Sequence, residues 1–310
     1  RRVNITWNEW YKAQSPGKIN FSHLSIRDIS SNISLKRLTP DSINLRVRAL
    51  SFKEQSGLDI KKLTFRLIAN HHKAILTNFD LRLSNSYINQ SRIVFTYDDS
   101  SIQTLGYTLT CRGAIDQAQL STEDFSFAIP QFKGLKETLS LATYYSINNN
   151  RLSFNNIQIK NKNEHLNLLA SFTLNRTNGE INDLALNIHQ FSLTQRLGQR
   201  LFMHFSHKET PAILSRVGNI DYSGIIRIKL GKSYSAKGLL KTGVGSFDEA
   251  LTYKDERLSG SVKGKAFALA EIVGKKDLPS QITFNLQGEI LLNKQTPKSN
   301  ANISIEKFEL

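Results

Sequence analysis

Apolar and polar residues alternate along most of this chain with a period of two. Ile43-Asn-Leu45-Arg-Val47-Arg gives a strand with one apolar and one basic face. Phe65-Arg-Leu67, Leu81-Arg-Leu83, Ile181 to Ile188 and Ile282-Thr-Phe284-Asn-Leu286 read the same way. Turn-forming clusters separate the runs: residues 14–17, 53–57, 98–101, 148–150 and 177–179. Short connections without helical crossovers predict antiparallel meanders.

A second regularity overlies the first. Six stretches carry the pattern apolar-x-apolar-x-x-apolar-x-apolar. They are Ile19/Phe21/Leu24/Ile26, Leu45/Val47/Leu50/Phe52, Leu58/Ile60/Leu63/Phe65, Ala74/Leu76/Phe79/Leu81, Leu152/Phe154/Ile157/Ile159 and Ile303/Ile305/Phe308/Leu310. Ile181/Leu184/Leu186 is a partial copy. In a flat strand the x-x step would turn the second apolar pair to the opposite face. A β-bulge absorbs the extra residue and keeps both pairs on one side. Repeated across neighbouring strands, the bend predicts an all-β, elongated, curved, mostly antiparallel sheet: a groove, or β-taco, with an apolar concave face. The irregular spacing argues against a β-helix with fixed rungs. The competing architecture is an ordinary β-sandwich whose strands carry bulges.

Helix is scarce. Leu193, Leu197, Leu201 and Phe205 predict an amphipathic helix over residues 193–205, with Ser192 as its cap and Pro211 beyond its end. A shorter turn is predicted over Ala268–Val273, stopped by Gly274. The first helix is expected to close one end of the groove; its two arginines, Arg196 and Arg200, are few for a membrane-surface helix. Around residues 206–216 the texture changes from Asn/Ser-rich turns to recurrent glycine. This divides the chain into a groove segment over 1–205 and a second, continuous one over 216–310.

Lys and Arg number 41 against 26 Asp and Glu, a formal charge of +15. Such a balance favours polyanionic partners. The cations are spread along strands, as in Arg46, Arg48, Arg66, Arg82 and Arg92, which fits solvated outer sheet faces as well as an anionic ligand. Nucleic acid is disfavoured, because Phe21, Phe65, Phe79 and Phe154 fall on the apolar phase and the cations on the other, whereas single-strand readers interleave the two. The single cysteine, Cys111, excludes an internal disulfide and a cysteine-based zinc site. It fits a cytosolic chain or a cysteine-poor periplasmic one.

Several runs in the second half carry a family resemblance. They are Val217-Gly-Asn-Ile-Asp-Tyr-Ser-Gly224, Ala236-Lys-Gly-Leu-Leu-Lys-Thr-Gly-Val-Gly-Ser246, Leu258-Ser-Gly-Ser-Val262, Phe267-Ala-Leu-Ala-Glu-Ile-Val-Gly274 and Ile282-Thr-Phe-Asn-Leu-Gln-Gly288. Upstream, Ala49–Leu58 and Leu76–Leu81 add to them. In this order they resemble the TamB/AsmA-like envelope proteins, the translocation and assembly module type, of the Bacteroides group. The resemblance implies a long hydrophobic groove spanning the periplasm of a Gram-negative bacterium. It implies transport of phospholipid to the outer membrane, or support of outer-membrane protein assembly and secretion with an Omp85-class barrel. The family's inner-membrane anchor and barrel-binding C-terminal domain are not in this sequence. The chain starts Arg1-Arg2-Val3 and stops within an alternating run, so it is expected to be a piece of a longer protein.

No catalytic, cofactor or metal constellation emerges. His71-His72 point to opposite faces if they lie on a strand, and His204/His207 lack an acidic or cysteine companion. There is no G-x-S-x-G elbow and no phosphate loop. Asp98-Asp99 and Glu123-Asp124 fall in turn-like settings, and sequons such as those at Asn32 and Asn89 are chance matches. The expectation is a non-enzymatic conduit for phospholipid acyl chains. Its lining is read from phase: Ile43, Leu45, Val47, Phe65, Leu67, Leu81, Leu83, Phe154, Ile157, Leu186, Phe284 and Leu286. Two alternatives stand beside it: a module that chaperones outer-membrane strands by β-augmentation, and a structural β-rod with a filled core.

Overall fold

A computed structural model describes residues 3–9, 22–98, 108–163, 165–177, 179–275, 278, 280–292 and 298–309. Ile19, Phe21, the turn at 14–17, residues 99–101, Asn178 and Leu310 lie outside them. The chain is mostly antiparallel sheet: the described residues form seventeen strands in one open sheet, with three short helices. By contacts it divides into two compact units, residues 1–154 and 155–310. The compositional change at 206–216 falls inside the second unit.

In the first unit β1 (Val3–Asn8), β2 (His23–Thr39), β3 (Ser42–Glu54), β4 (Asp59–Asn70), β5 (Lys73–Arg82), β6 (Tyr87–Thr96), β7 (Thr110–Ser121) and β8 (Thr138–Ile147) each pair with the next. The registers build continuous rows of residues on one face. Leu35, Leu45, Leu67, Leu76, Ile93, Gly113 and Tyr145 form one such row. Leu50, Leu63, Leu81, Ile88, Ala118 and Leu141 form another. Between these rows β4 runs from Leu63 to Leu67 and β8 from Leu141 to Tyr145, an even step. β3 runs from Leu45 to Leu50, β5 from Leu76 to Leu81, β6 from Ile88 to Ile93 and β7 from Gly113 to Ala118. Each of these has one residue more, so the extra residue recurs at the same level of the sheet. Pairing breaks there, between Val47 and Leu50, Thr64 and Arg66, and Ile115 and Ala118.

The bulge chemistry is visible in the backbone. Asn78 sits in the Thr77-Asn78 step of β5 with φ +55°, and Asp28 occupies the β2 bulge with φ +57°. Asn156 does the same, with φ +52°, in β9 (Arg151–Asn161). Asn and Asp tolerate the left-handed region better than other residues that carry a Cβ. The connections follow local rules too. Asn148 Oδ1 accepts from the backbone N–H groups of Asn150 (3.0 Å) and Arg151 (2.7 Å) at the turn into β9. Asp255 and Glu256, both at positive φ, make a two-residue hairpin.

The second unit repeats the plan. β9 pairs with β10 (Leu166–Thr177), which pairs with β11 (Glu180–Leu193). β12 (Ile220–Lys229), β13 (Ser233–Thr242), β14 (Gly245–Lys254), β15 (Arg257–Phe267), β16 (Gln281–Leu291) and β17 (Lys298–Glu309) follow in sequence order. Helices sit in two connections at the same ends of the strands. α1 (Gln195–Ser206) and α2 (Ala212–Val217) join β11 to β12, and α3 (Leu269–Val273) joins β15 to β16. Leu197 of α1 is buried, and Arg216 of α2 donates from Nη1 to the Ile272 carbonyl of α3 (2.7 Å). The predicted cap is corrected. Thr194 holds the N-cap position, Asn219 Oδ1 accepts from the Gln195 N–H (3.0 Å), and Ser192 stays in β11, donating to Asp221 (2.5 Å). Gly274 ends α3 in the left-handed conformation, as its sequence predicts. In the first unit the β7–β8 connection has the corresponding place. Two 3-10 turns, Thr122–Phe125 and Pro130–Phe132, bury Thr122 and Leu135 against the strand ends.

Asn78→Val should destabilise the chain by about 1–2 kcal/mol, because a β-branched residue at positive φ meets the left-handed penalty. Asn78→Gly should be nearly neutral. Urea denaturation of the three proteins checks this, and equal losses in both variants would show that the bulge does not depend on the conformation of this residue.

Candidate functional site

The strongest candidate is the apolar face itself. In the first unit Ile43, Leu45, Val47, Phe65, Leu67 and Leu81 all stand on it, in register across β3, β4 and β5. Leu83 follows on the same phase just beyond β5, where its N–H donates to the Ser86 carbonyl (2.8 Å). Phe154 joins through its ring contact with Tyr145 (6.2 Å between centroids). Ile157 lies past the Asn156 bulge, in the second unit. There Leu186, Phe284 and Leu286 share one face, but four strands lie between the first and the other two. Phe284 belongs to an aromatic chain with Phe267 and Phe247 (centroids 6.0 and 5.5 Å apart).

This face is incompletely covered. Val47 (4% exposed) and Leu83 (8%) are buried; the other ten lining residues are half-buried. Ile33 and Leu35, opposite Val47 and Leu45, are 55% exposed, as is Ile303 opposite Leu286 at 66%. Among the described residues no large side chain is fully buried. A sandwich with a filled interior would bury these rows on both sides.

Four glycines on the face are covered by three aromatic rings. Tyr145 lies over Gly113, Phe284 over Gly264, and Tyr222 across both Gly224 and Gly238. A Cβ at Gly238 would stand 2.6 Å from the Tyr222 hydroxyl, so only glycine permits this fit. The rings also carry polar groups onto the greasy face. Tyr145 donates to Gln90 Oε1 (2.7 Å) and stands beside Cys111. The Tyr222 hydroxyl is buried without a well-formed hydrogen bond, close to the carboxylate of Glu249, which is itself in register with Gly238 and Val262. Burial pushes Tyr222 up to about 12, helped by Glu249. Burial, then Cys111, pushes Tyr145 up to about 12, and burial raises the Cys111 thiol. Sequence reasoning missed these polar insertions. Their one local signal is Tyr222-Ser-Gly224, an aromatic two residues from a glycine.

The histidines are placed as structural or exposed groups. His71 Nε2 meets Asp41 Oδ1 at a turn (3.0 Å), and His204 packs edge-on against Phe205. His23 is buried and bonded to Asn8, with its carbonyl accepting from Gln55. Among the described residues no three His, Cys, Asp or Glu side chains gather into a metal site. Among the described residues no helix is long and apolar enough to cross a membrane. No protein-family profile, curated protein or solved structure matches the chain.

Tyr145 and Tyr222 should ionise late, well above the ordinary range of a phenol. Their folded-state values lie above the ordinary ~10 of a free phenol, so the stability they confer is complete below that pH and lost as pH rises towards 12. In a phenolate-absorbance titration, Tyr222→Phe and Tyr145→Phe should each remove one late ionisation, and Glu249→Gln should bring that of Tyr222 down.

Proposed function

We propose that this chain is a stretch of a TamB-like protein of the Gram-negative periplasm, and that its apolar face carries phospholipid acyl chains between the membranes without performing chemistry. The observation that carries the reading is the half-open apolar face of each unit, repeated strand after strand. An acyl chain leaving water gains about 0.8 kcal/mol per buried methylene. A face made of similar aliphatic side chains offers that gain at every level, so a tail has no deep minimum in which to stop. Basic residues stand on the other side of the same strands, which keeps charge away from the tails. The filled β-rod is the weaker reading, because the rows that would form its core remain accessible.

The chain, purified from a bacterial envelope, should bring phospholipid with it, detectable by mass spectrometry of the extracted protein. Leu67→Asp and Leu286→Asp, one in each unit, should lower the bound lipid at least several-fold. Arg82→Glu, on the opposite face, should leave it unchanged. Circular dichroism shows whether the variants remain folded. Lipid-free wild-type protein, or folded Asp variants with a full lipid load, would overturn the conduit.

A further inference from the structure

The face opposite the apolar rows carries a row of its own. Ser34, Arg46, Arg66, Thr77 and Arg92 are cross-strand partners from β2 to β6. Arg46 and Arg66 stand directly opposite each other, an arrangement that destabilises an antiparallel pair unless something negative lies between. Arg48, two residues on from Arg46 and at the edge of the Val47–Leu50 pairing break, falls on the same side. Arg46, Arg48 and Arg66, with Val47, Thr64, Phe65 and Asn78, line a notch of about 300 Å³ in which no carboxylate takes part. The nearest acid in register is Asp80, opposite Thr64, and it is already engaged by Arg82 (3.1 Å) and Lys62 (3.6 Å). None of the three arginines forms an ion pair among the described residues, and the Nε of Arg66 is buried without a hydrogen-bond partner.

The geometry points to a phosphate-binding site in this notch. Guanidinium groups present planar, paired donors that match phosphate oxygens two at a time, and they are less strongly hydrated than ammonium groups. Three of them meet here with a threonine and an asparagine side chain as further donors. A bound dianion would relieve the Arg46–Arg66 repulsion and supply an acceptor for the orphaned Nε. Tails held on the apolar face have the sheet between them and this site, so its phosphate comes from elsewhere: a free phosphate compound, or the headgroup of a lipid at a membrane surface.

Isothermal titration of the purified chain with inorganic phosphate at low ionic strength, and co-sedimentation with vesicles of phosphatidylcholine with and without phosphatidylglycerol, separate those sources. Saturable phosphate binding assigns the site to soluble phosphates. Binding to anionic vesicles alone assigns it to headgroups. In either case Arg46→Gln and Arg66→Gln should weaken binding about 10- to 100-fold, the loss of one charge-assisted contact. Lys237→Gln, a cation of the second unit, should change nothing. Arg66→Gln should also raise the melting temperature in phosphate-free buffer and abolish the rise that phosphate gives the wild type. Arg48→Gln serves where Arg66→Gln fails to fold. Absence of binding to both probes, or equal binding by folded Arg46→Gln and wild type, would overturn the site. Because these variants leave the apolar face intact, their outcome is independent of the lipid measurement.

Discussion

A strand gives each side chain only two directions, so one added residue reverses every side chain beyond it. The fold depends on how that reversal is undone. In β3, β5, β6 and β7 the added residue falls at one level of the sheet, and the bulges confine the phase error to a local break in pairing. Leu45 and Leu50 therefore lie on the same side of β3, as Leu76 and Leu81 do on β5. If one strand lost its bulge, half of its apolar residues would face the arginines. The rows survive because neighbouring strands share the correction.

That correction sorts the chemistry of the sheet into two sides. Aliphatic and aromatic residues occupy one, and Arg46, Arg66 and Arg92 the other. The formal charge of +15 thus coexists with a continuous greasy surface. Polar groups on the apolar side are few and held by rings: Gln90 by Tyr145, Glu249 beside Tyr222. Where the ring crosses a glycine it replaces the missing side chain of its neighbour, so the face stays covered although the glycine presents nothing.

Much of this architecture was legible in the sequence because its two determinants are local. Alternation and the x-x step are properties of a few consecutive residues, so Thr77-Asn78, Asn155-Asn156 and Lys61-Lys62 all announce their bulges. Gly274 marks the end of α3 for the same reason. What the sequence concealed depends on register. Nothing near Arg46 says that Arg66 will face it, and nothing near Glu249 names Tyr222 as its neighbour. The α1 cap was misread because Ser192, a good capping type, is taken by Asp221 from the next strand, while Asn219 reaches back to the helix from beyond its end. Among the lining residues, Val47 and Leu83 are wedged out of reach, since coverage is set by neighbouring strands and loops rather than by phase.

Pairing in each unit runs from one strand to the next in sequence, β1 to β8 and β9 to β17. No strand waits for a distant partner, so loop closure is cheap at every step. Such a chain can be laid down like knitting. Each new course can be fastened to the one before as the chain emerges, and lengthening by a pair of courses demands no rearrangement of those already made.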